Sequence, residues 1–264
     1  MRNALAIARK ELGIYFSTPW AYVIFTGMVA ISAFFFLGNI GNFKEAQVYA
    51  RIYGWARIPP ELKNLTDGVI VPLWDVIAVI VIFAGPFLSM RLFAEEKRNQ
   101  TFELLMTAPV RPWEIVLGKY LGGVGIISAT LGLTLIFPLT LSLFGASESG
   151  SALEWRTVGL GFAGLLLWGA TAMAVGMFLS SLTESQALAA FLTFIVLLAW
   201  FVLRFLAPGA EEPWRSVINY LSFGGQLSTL FRGVLELKAL VFFGSVIVLS
   251  FLLTHRTVEL QRWA

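Results

Sequence analysis

The 264-residue sequence contains no cysteine and only one histidine, His255. Without cysteine the chain cannot form disulfides, thiolate nucleophiles, zinc–thiolate sites or iron–sulfur clusters. A single histidine leaves almost no basis for a histidine-based metal site or a catalytic triad. The chain therefore lacks the side chains for cysteine- and histidine-based metal sites and for a cysteine nucleophile.

Charged residues are also scarce. They make up 13% of the sequence, whereas 58% is hydrophobic and the mean hydropathy is +0.78. A soluble domain carries about 25% charge, and a disordered chain needs low hydrophobicity with high net charge. Both classes are excluded. The small basic excess, 19 residues against 16 acidic ones, fits a membrane protein with basic edges better than a nucleic-acid binder, so we expect no nucleic-acid partner.

Long runs without charge indicate six transmembrane helices. A bilayer core needs about 20 apolar helical residues, and the runs are continuously apolar instead of alternating, which excludes the strands of a membrane β-barrel. The last run, between Lys238 and His255, is the shortest, with 16 residues. The sequence thus predicts an all-α integral membrane protein. The predicted spans cover residues 20–37, 69–90, 120–145, 157–181, 186–204 and 238–254, and we treat 1–264 as one transmembrane domain.

Six spans place both termini on the same side of the membrane. Basic residues divide almost evenly between the two sides, but their dense cluster in 91–119 favours a cytoplasmic location for that segment and for the termini. Charges at Arg9, Lys10 and Glu11 interrupt the first apolar stretch and argue against a cleaved signal peptide. Frequent glycines inside the spans predict close helix packing.

Three segments outside the spans carry patterns of their own. Residues 2–18 place Leu5, Ala8, Leu12, Tyr15 and Phe16 at helical spacing; this is either an amphipathic surface helix or the anchored entry to the first span. The connection 205–237 predicts two short amphipathic helices, separated by a glycine break, at the outer interface. The segment 39–68 has no assigned role.

The segment 91–119 is the most informative part of the sequence. It begins with charges, continues with apolar residues from Phe102 and breaks at Pro109, and Pro112 and Glu114 then provide a helix start. This predicts a short helix, a proline turn and a new helix that runs into the third span. The apolar side of the short helix fits either lipid or a groove on a cytoplasmic partner.

From Arg91 to Lys119 the pattern R-x3-EEK-x3-T-x-ELL-x3-PV-x3-EI-x2-GK resembles the segment between spans two and three of ABC-2 type transporter permeases. Permeases of gliding motility and related bacterial surface-motility systems look most similar. The N-terminal ALAIARKEL and the late LFRGVLELKALVFF also resemble this family. Gln100 stands where many members have glycine, so we expect the local turn to differ from theirs.

The resemblance implies that 91–119 contains a cytoplasmic coupling helix that docks on a separate ATPase subunit. It also implies two ATPase copies, a second permease copy or homologous permease, contact with membrane lipid, and location in the bacterial inner membrane. No cofactor is expected in this chain, because ATP and magnesium would be bound by the ATPase. Spans one, two and five would line the pathway. The implied interface residues are Glu95, Glu96, Lys97, Arg98, Thr101, Phe102, Glu103, Leu104, Leu105, Pro109 and Lys119, with Lys119 placed where span three enters the membrane.

Two glycine-containing stretches imitate nucleotide-binding motifs. Residues 159–164 read GLGFAG but lie within a predicted span, where helix packing explains them. Gly118 and Lys119 lack the other Walker A residues, since Trp113 and Tyr120 occupy those positions. We therefore predict no nucleotide binding by either stretch.

Three charged residues mark predicted membrane edges. Asp75 lies near the outer end of span two, Arg204 ends span five, and Arg91 begins the cytoplasmic segment. An ionisable group inside a span is a functional candidate, but interfacial placement is the better interpretation here.

Three functions remain open at this point. The favoured one is a transporter permease subunit, with export as the expected direction and a link to surface motility. The second is a membrane scaffold that assists assembly of a cell-surface machine. The third, an intramembrane enzyme, lacks a histidine inside a span and an acidic pair at membrane depth, so we expect no catalytic residue.

Overall fold

The computed structural model describes residues 2–103, 110–144, 153–209 and 211–261. Within these ranges the chain is helical and contains no strand, which confirms the all-α fold class. The helices are α1 (Arg2–Ser17), α2 (Pro19–Tyr53), α3 (Val71–Ser89), α4 (Ala94–Arg98), α5 (Pro112–Leu133), α6 (Ile136–Phe144), α7 (Trp155–Ser181), α8 (Gln186–Leu206), α9 (Trp214–Leu221), α10 (Phe223–Phe231) and α11 (Leu237–Gln261).

Six helical stretches in the described part of the chain are long and apolar enough to cross a membrane. They are Pro19–Tyr53, Thr66–Arg98, Pro112–Phe144, Trp155–Ser181, Gln186–Gly209 and Leu237–Gln261. Five of the six begin within three residues of the predicted position. The last helix is longer than its 16-residue apolar run, because it continues past His255 to Gln261 and has 25 residues in all.

The first of these stretches is much longer than the predicted span over 20–37. Helix α2 has 35 residues, which corresponds to roughly 50 Å at the usual rise per residue. No proline interrupts it after Pro19, and it ends at Gly54, whose positive φ of 92° ends the helix. Since a bilayer core is about 30 Å thick, the helix extends well beyond the hydrocarbon region and includes part of the segment 39–68.

The third stretch is divided into α5 and α6. The break at Thr134 and Leu135 has a local cause in Pro138, which lacks an amide hydrogen and whose ring clashes with the carbonyl four residues earlier, at Thr134. At this break the Thr134 hydroxyl donates a hydrogen bond to the Leu131 carbonyl at 2.6 Å. The predicted end at residue 145 lies just outside the described residues.

Helices α3 and α7 form the centre of the bundle. More than half of the residues in their most apolar stretches are buried, whereas fewer than a quarter are buried in α2 and α8. Trp168 of α7 is fully buried, stacks on Phe223 with ring centroids 3.9 Å apart, and donates its indole N–H to the Ala78 carbonyl at 3.0 Å. The GLGFAG stretch lies inside α7 as predicted, where Gly161 faces Trp74 and Gly164 faces Leu230.

The two short helices predicted in 205–237 are present as α9 and α10, but the break between them is at Ser222. The predicted glycine break is wrong, because Gly224 and Gly225 both lie within α10. Helix α9 has no buried residue, whereas α10 buries Phe223 and Phe231 against the bundle. Only α9 therefore has the exposure expected of an interfacial amphipathic helix.

Candidate functional site

Helix α1 packs along the first half of α5 through small residues on both helices. A Cβ at Gly118 would lie 2.7 Å from the Ile7 Cβ, and one at Gly122 would lie 2.6 Å from the Glu11 Cβ. The buried face of α1 consists of Ala4, Ala8, Glu11 and Tyr15. Of the five residues that the sequence placed on one face, Ala8 and Tyr15 are buried, whereas Leu5 is 64% exposed and Phe16 is 44% exposed. Close approach to the glycines thus places Ala4, Ala8 and Glu11 of α1 against α5.

This close approach brings Glu11 of α1 against Lys119 of α5. The Lys119 Nζ lies 2.9 Å from Glu11 Oε1 and 2.9 Å from Glu96 Oε1 of α4, and its side chain is 2% exposed. Lys10 also reaches Glu96, at 3.4 Å. The Lys119 ammonium lies 5.2 Å from the centroid of the Phe93 ring, within cation–π range. One buried lysine therefore links α1, α4 and α5, and we name Glu11, Glu96 and Lys119 the charge junction.

A polar cavity adjoins the charge junction. Its volume is about 430 Å³, and its wall includes Tyr15, Arg91, Glu95 and Thr101 in addition to the junction itself. Arg91 donates to both carboxylate oxygens of Glu95, at 2.6 and 3.0 Å, across one helical turn. The charges around this cavity are thus arranged as pairs of opposite sign.

The end of α1 is fixed to the end of α3 by Tyr15. Its hydroxyl is buried and donates to the Leu88 carbonyl in the last turn of α3. Burial raises the pKa of Tyr15, and the negative charge of Glu11 raises it further, so the phenol stays protonated and remains a donor at physiological pH.

The N-terminus of α4 is held by a serine from another helix. The Ser180 Oγ of α7 accepts hydrogen bonds from the Phe93 and Ala94 amides, at 3.1 and 3.0 Å, and donates to the Met90 carbonyl at 2.8 Å. It satisfies amide groups that a helix start leaves without a partner, as a capping residue would. Lys97, at the other end of α4, donates to the Ser181 carbonyl.

Among the described residues that were predicted as an interface, four bond within the chain, one is buried and three are exposed. Glu95, Glu96, Lys97 and Lys119 bond within the chain, as described above. Phe102 is 8% exposed and packs on Phe93, with ring centroids 6.3 Å apart. Arg98, Thr101 and Glu103 are exposed. Leu104, Leu105 and Pro109 lie outside the described residues.

The start of α5 follows the sequence prediction. Pro112 is the first residue of the helix, and the Glu114 carboxylate accepts a hydrogen bond from the Arg111 amide at 3.4 Å, as the acidic residue of a capping box does. Lys119, however, lies two turns inside the helix and is buried among side chains. It forms part of the charge junction, and its expected position at the membrane entry stays a prediction.

The sequence model of the family described as ABC-2 family transporter protein matches residues 56–224, which is more than half of the 264 residues. The chain belongs to this ABC-2 transporter family. The match includes segment 91–103 and Lys119 but not α1, which supplies Glu11. No curated protein matches the chain. As a family member with six apolar helices, the chain is a multi-pass membrane permease and a component of an ABC transporter.

At the opposite end of α3, the permease places the other charged candidates near one another. Asp75 is exposed in the first turns of α3, within electrostatic range of Arg204 and Arg232. Arg204 lies over Phe201 and Phe205, at 5.8 and 5.3 Å from the ring centroids. Sequence reasoning missed Arg232, which has no spacing relationship to Asp75, and it also missed Glu11 and Ser180.

Proposed function

We propose that this permease couples ATP hydrolysis by a separate ATPase subunit to the movement of a substrate across the bacterial inner membrane. The segment 91–103 is the part that receives force from the ATPase. The charge junction is the observation that carries this proposal, because it joins that segment to two other helices through one buried lysine.

Force on α4 has direct routes into the bundle. Glu96 connects α4 to Lys119 of α5, Ser180 connects its N-terminus to α7, and Tyr15 connects α1 to α3. Separating a buried ion pair costs several kcal/mol, about 3–5 when one partner is lost. A displacement of α4 therefore moves α1 and α5 with it more readily than it breaks the junction. Such a displacement drives transport only if the ATPase binds two membrane states with different affinity.

The surface that meets the ATPase contains Thr101 and Glu103, both exposed. Phe102, between them, supports this surface from inside: its ring lies against Phe93 and 5.6 Å from the Lys97 Nζ. A charge at position 102 would disturb the packing below the surface as well as the surface itself. Glu103 is therefore the better position for testing the contact.

Further details of the proposal rest on the resemblance of segment 91–119 to surface-motility permeases. In these details the substrate is exported, and transport is linked to surface motility. Two copies of the permease work with two ATPases, and the ATPases bind ATP and magnesium. The six apolar helices of the described residues support termini on one side, and the basic cluster supports the cytoplasmic side.

Co-purification tests the contact. Wild-type permease, isolated from its own membranes, is expected to bring an ATP-binding subunit with it, and Glu103→Lys is expected to reduce the recovered subunit about tenfold, as lost contacts worth about 1.4 kcal/mol would do. Glu61→Lys is the control, because Glu61 is equally exposed near the other end of α3. Equal recovery with both variants would overturn the assignment of this surface. Wild-type protein without any ATP-binding subunit would favour the scaffold instead.

Orientation can be tested separately, since the chain has no cysteine of its own. Single cysteines introduced as Glu103→Cys and Glu61→Cys would be the sole targets of a membrane-impermeant maleimide. In intact spheroplasts we expect labelling at position 61 only, and in inside-out vesicles at position 103 only. The reverse pattern would place segment 91–103 outside the cell and end the proposal.

A further inference from the structure

The turn that follows α4 contains a strained residue. Gln100 has a φ of 57°, in the left-handed region, and among the residues that the structure describes it is the one non-glycine residue with a positive φ. This conformation costs free energy in any residue that carries a Cβ. Strain of this kind persists only where surrounding contacts impose it, and it is frequent in regions that switch between two arrangements.

Two backbone hydrogen bonds close this turn. The Gln100 amide donates to the Lys97 carbonyl at 3.1 Å, and the Thr101 amide donates to the Glu96 carbonyl at 3.0 Å. This is the Schellman arrangement, which places a left-handed residue directly after the end of a helix. The Thr101 hydroxyl adds a third hydrogen bond to the Glu96 carbonyl, at 3.3 Å. The turn therefore ties Thr101, which is exposed, to Glu96 of α4.

Glu96 belongs both to this turn and to the charge junction. Its carbonyl accepts from Thr101, while its carboxylate lies 2.9 Å from the Lys119 Nζ. The two attachments differ in strength. The ion pair is largely buried, and its separation is costly, whereas the turn is exposed and the strain at Gln100 opposes its hydrogen bonds. A pull on segment 101–103 is therefore expected to open the turn before it separates the ion pair.

We propose that Gln100 is a hinge that works between two states of the transporter. Without nucleotide the turn is closed and segment 101–103 lies against α4; when the ATPases bind ATP, the segment moves with them and the turn opens. Opening withdraws Phe102 from the Phe93 ring and frees the Glu96 carbonyl, so it reaches the residue that holds the charge junction. The strain lowers the cost of opening and brings the two states within a free energy that ATP binding can bias. This inference rests on the proposed function, since the hinge needs an ATPase to move it.

The ATP dependence of ATPase activity tests the hinge, measured on the full chain in complex with its co-purified ATPase. Gln100→Gly removes the strain and so stabilises the closed turn, and we expect half-maximal activity to need about fivefold more ATP. Gln100→Val introduces a β-branched residue that a positive φ disfavours, and it should lower the ATP concentration at half-maximal activity. Lys63→Gly is the control, because Lys63 is also an exposed turn residue but has an ordinary φ of −82°. Its ATP dependence should equal that of the wild type.

Hydrogen exchange on the same complex measures the opening itself. The Gln100 and Thr101 amides should be protected without nucleotide and lose protection with a non-hydrolysable ATP analogue, while the Phe93 and Ala94 amides, bonded to Ser180, keep theirs.

Three results would overturn the hinge: equal protection of the Gln100 and Thr101 amides in both conditions, ATP dependences that shift in the same direction in Gln100→Gly and Gln100→Val, or variants that change thermal stability alone. If an ATP-binding subunit co-purifies with every variant and one of these results is obtained, the hinge is wrong and the proposed function stands. If no such subunit co-purifies with the wild type, both are wrong.

Discussion

Lys119 and Glu11 face each other across the contact between α5 and α1, with 2.9 Å between Nζ and Oε1. Both side chains are at least nine-tenths buried. Taking two charges out of water is costly, and the cost is offset only when the pair is complete and well bonded. The intact pair therefore contributes little net stability, but removing one partner is expected to destabilise the protein strongly.

Replacing Lys119 with methionine is expected to lower the free energy of unfolding by about 3–5 kcal/mol, because Glu11 and Glu96 would be left buried without their cation. Lys63→Met, at an exposed position, is expected to change it by less than about 0.5 kcal/mol. Chemical unfolding in detergent measures both values. Adding Glu11→Gln to Lys119→Met should restore part of the loss, and a double variant as unstable as the sum of the singles would argue against the junction.

Tyr15 gives the permease a stability that depends on pH. Its pKa is raised above the ordinary value of 10.0, chiefly by burial, so the folded state keeps the proton when the unfolded state loses it. The contribution is complete below pH 10 and declines as pH rises further towards the folded-state pKa. We expect the wild type to lose stability more steeply than Tyr15→Phe between pH 10 and 11. Equal slopes in unfolding experiments across that interval would contradict the buried hydrogen bond to Leu88.

Tyr22→Phe is the matched control for this variant. The Tyr22 hydroxyl also donates to a backbone carbonyl, that of Phe16 at 2.9 Å, but the side chain is 53% exposed. Water replaces an exposed partner at little cost, whereas a buried acceptor without a donor costs about 1–3 kcal/mol. At pH 7, therefore, Tyr15→Phe should destabilise the protein and Tyr22→Phe should not.

Two adjacent serines at the end of α7, Ser180 and Ser181, bond differently: the first reaches another helix and the second stays within its own. Ser180 accepts two amides from the start of α4, whereas the Ser181 hydroxyl donates only to Phe178 in its own helix. We expect Ser180→Ala to cost about 1–3 kcal/mol of stability and Ser181→Ala much less. Hydrogen exchange would localise the effect: protection should fall at the Phe93 and Ala94 amides in Ser180→Ala alone. Unchanged protection there would show that α4 does not need this cap.

The sequence predicts the spans well because hydrocarbon imposes a length that any apolar run must satisfy. It predicts the start of α5 because Pro112 and Glu114 act within their own turn. The rotation of α1 was not predictable from α1 alone, since the glycines that select its buried face lie on α5. Lys119 and Glu11 are 108 positions apart, and no spacing rule connects residues at that distance. What the sequence misses is therefore the set of contacts made between distant helices.

Gly122 sets the distance between α1 and α5, and its substitution tests whether that distance maintains the charge junction. In Gly122→Ala the added methyl group would meet the Glu11 Cβ at 2.6 Å, so α1 must move away, at a cost of about 1–3 kcal/mol. Gly132→Ala is the control in the same helix: it meets nothing within 4 Å and should gain up to about 1 kcal/mol through helix propensity. Once α1 has moved, Lys119→Met should cost less than in the wild type, because Glu11 is already farther from the lysine. A double-mutant cycle measures this coupling. Additive effects would mean that the glycine packing and the ion pair are independent, and that α1 is not held to α5 by the junction.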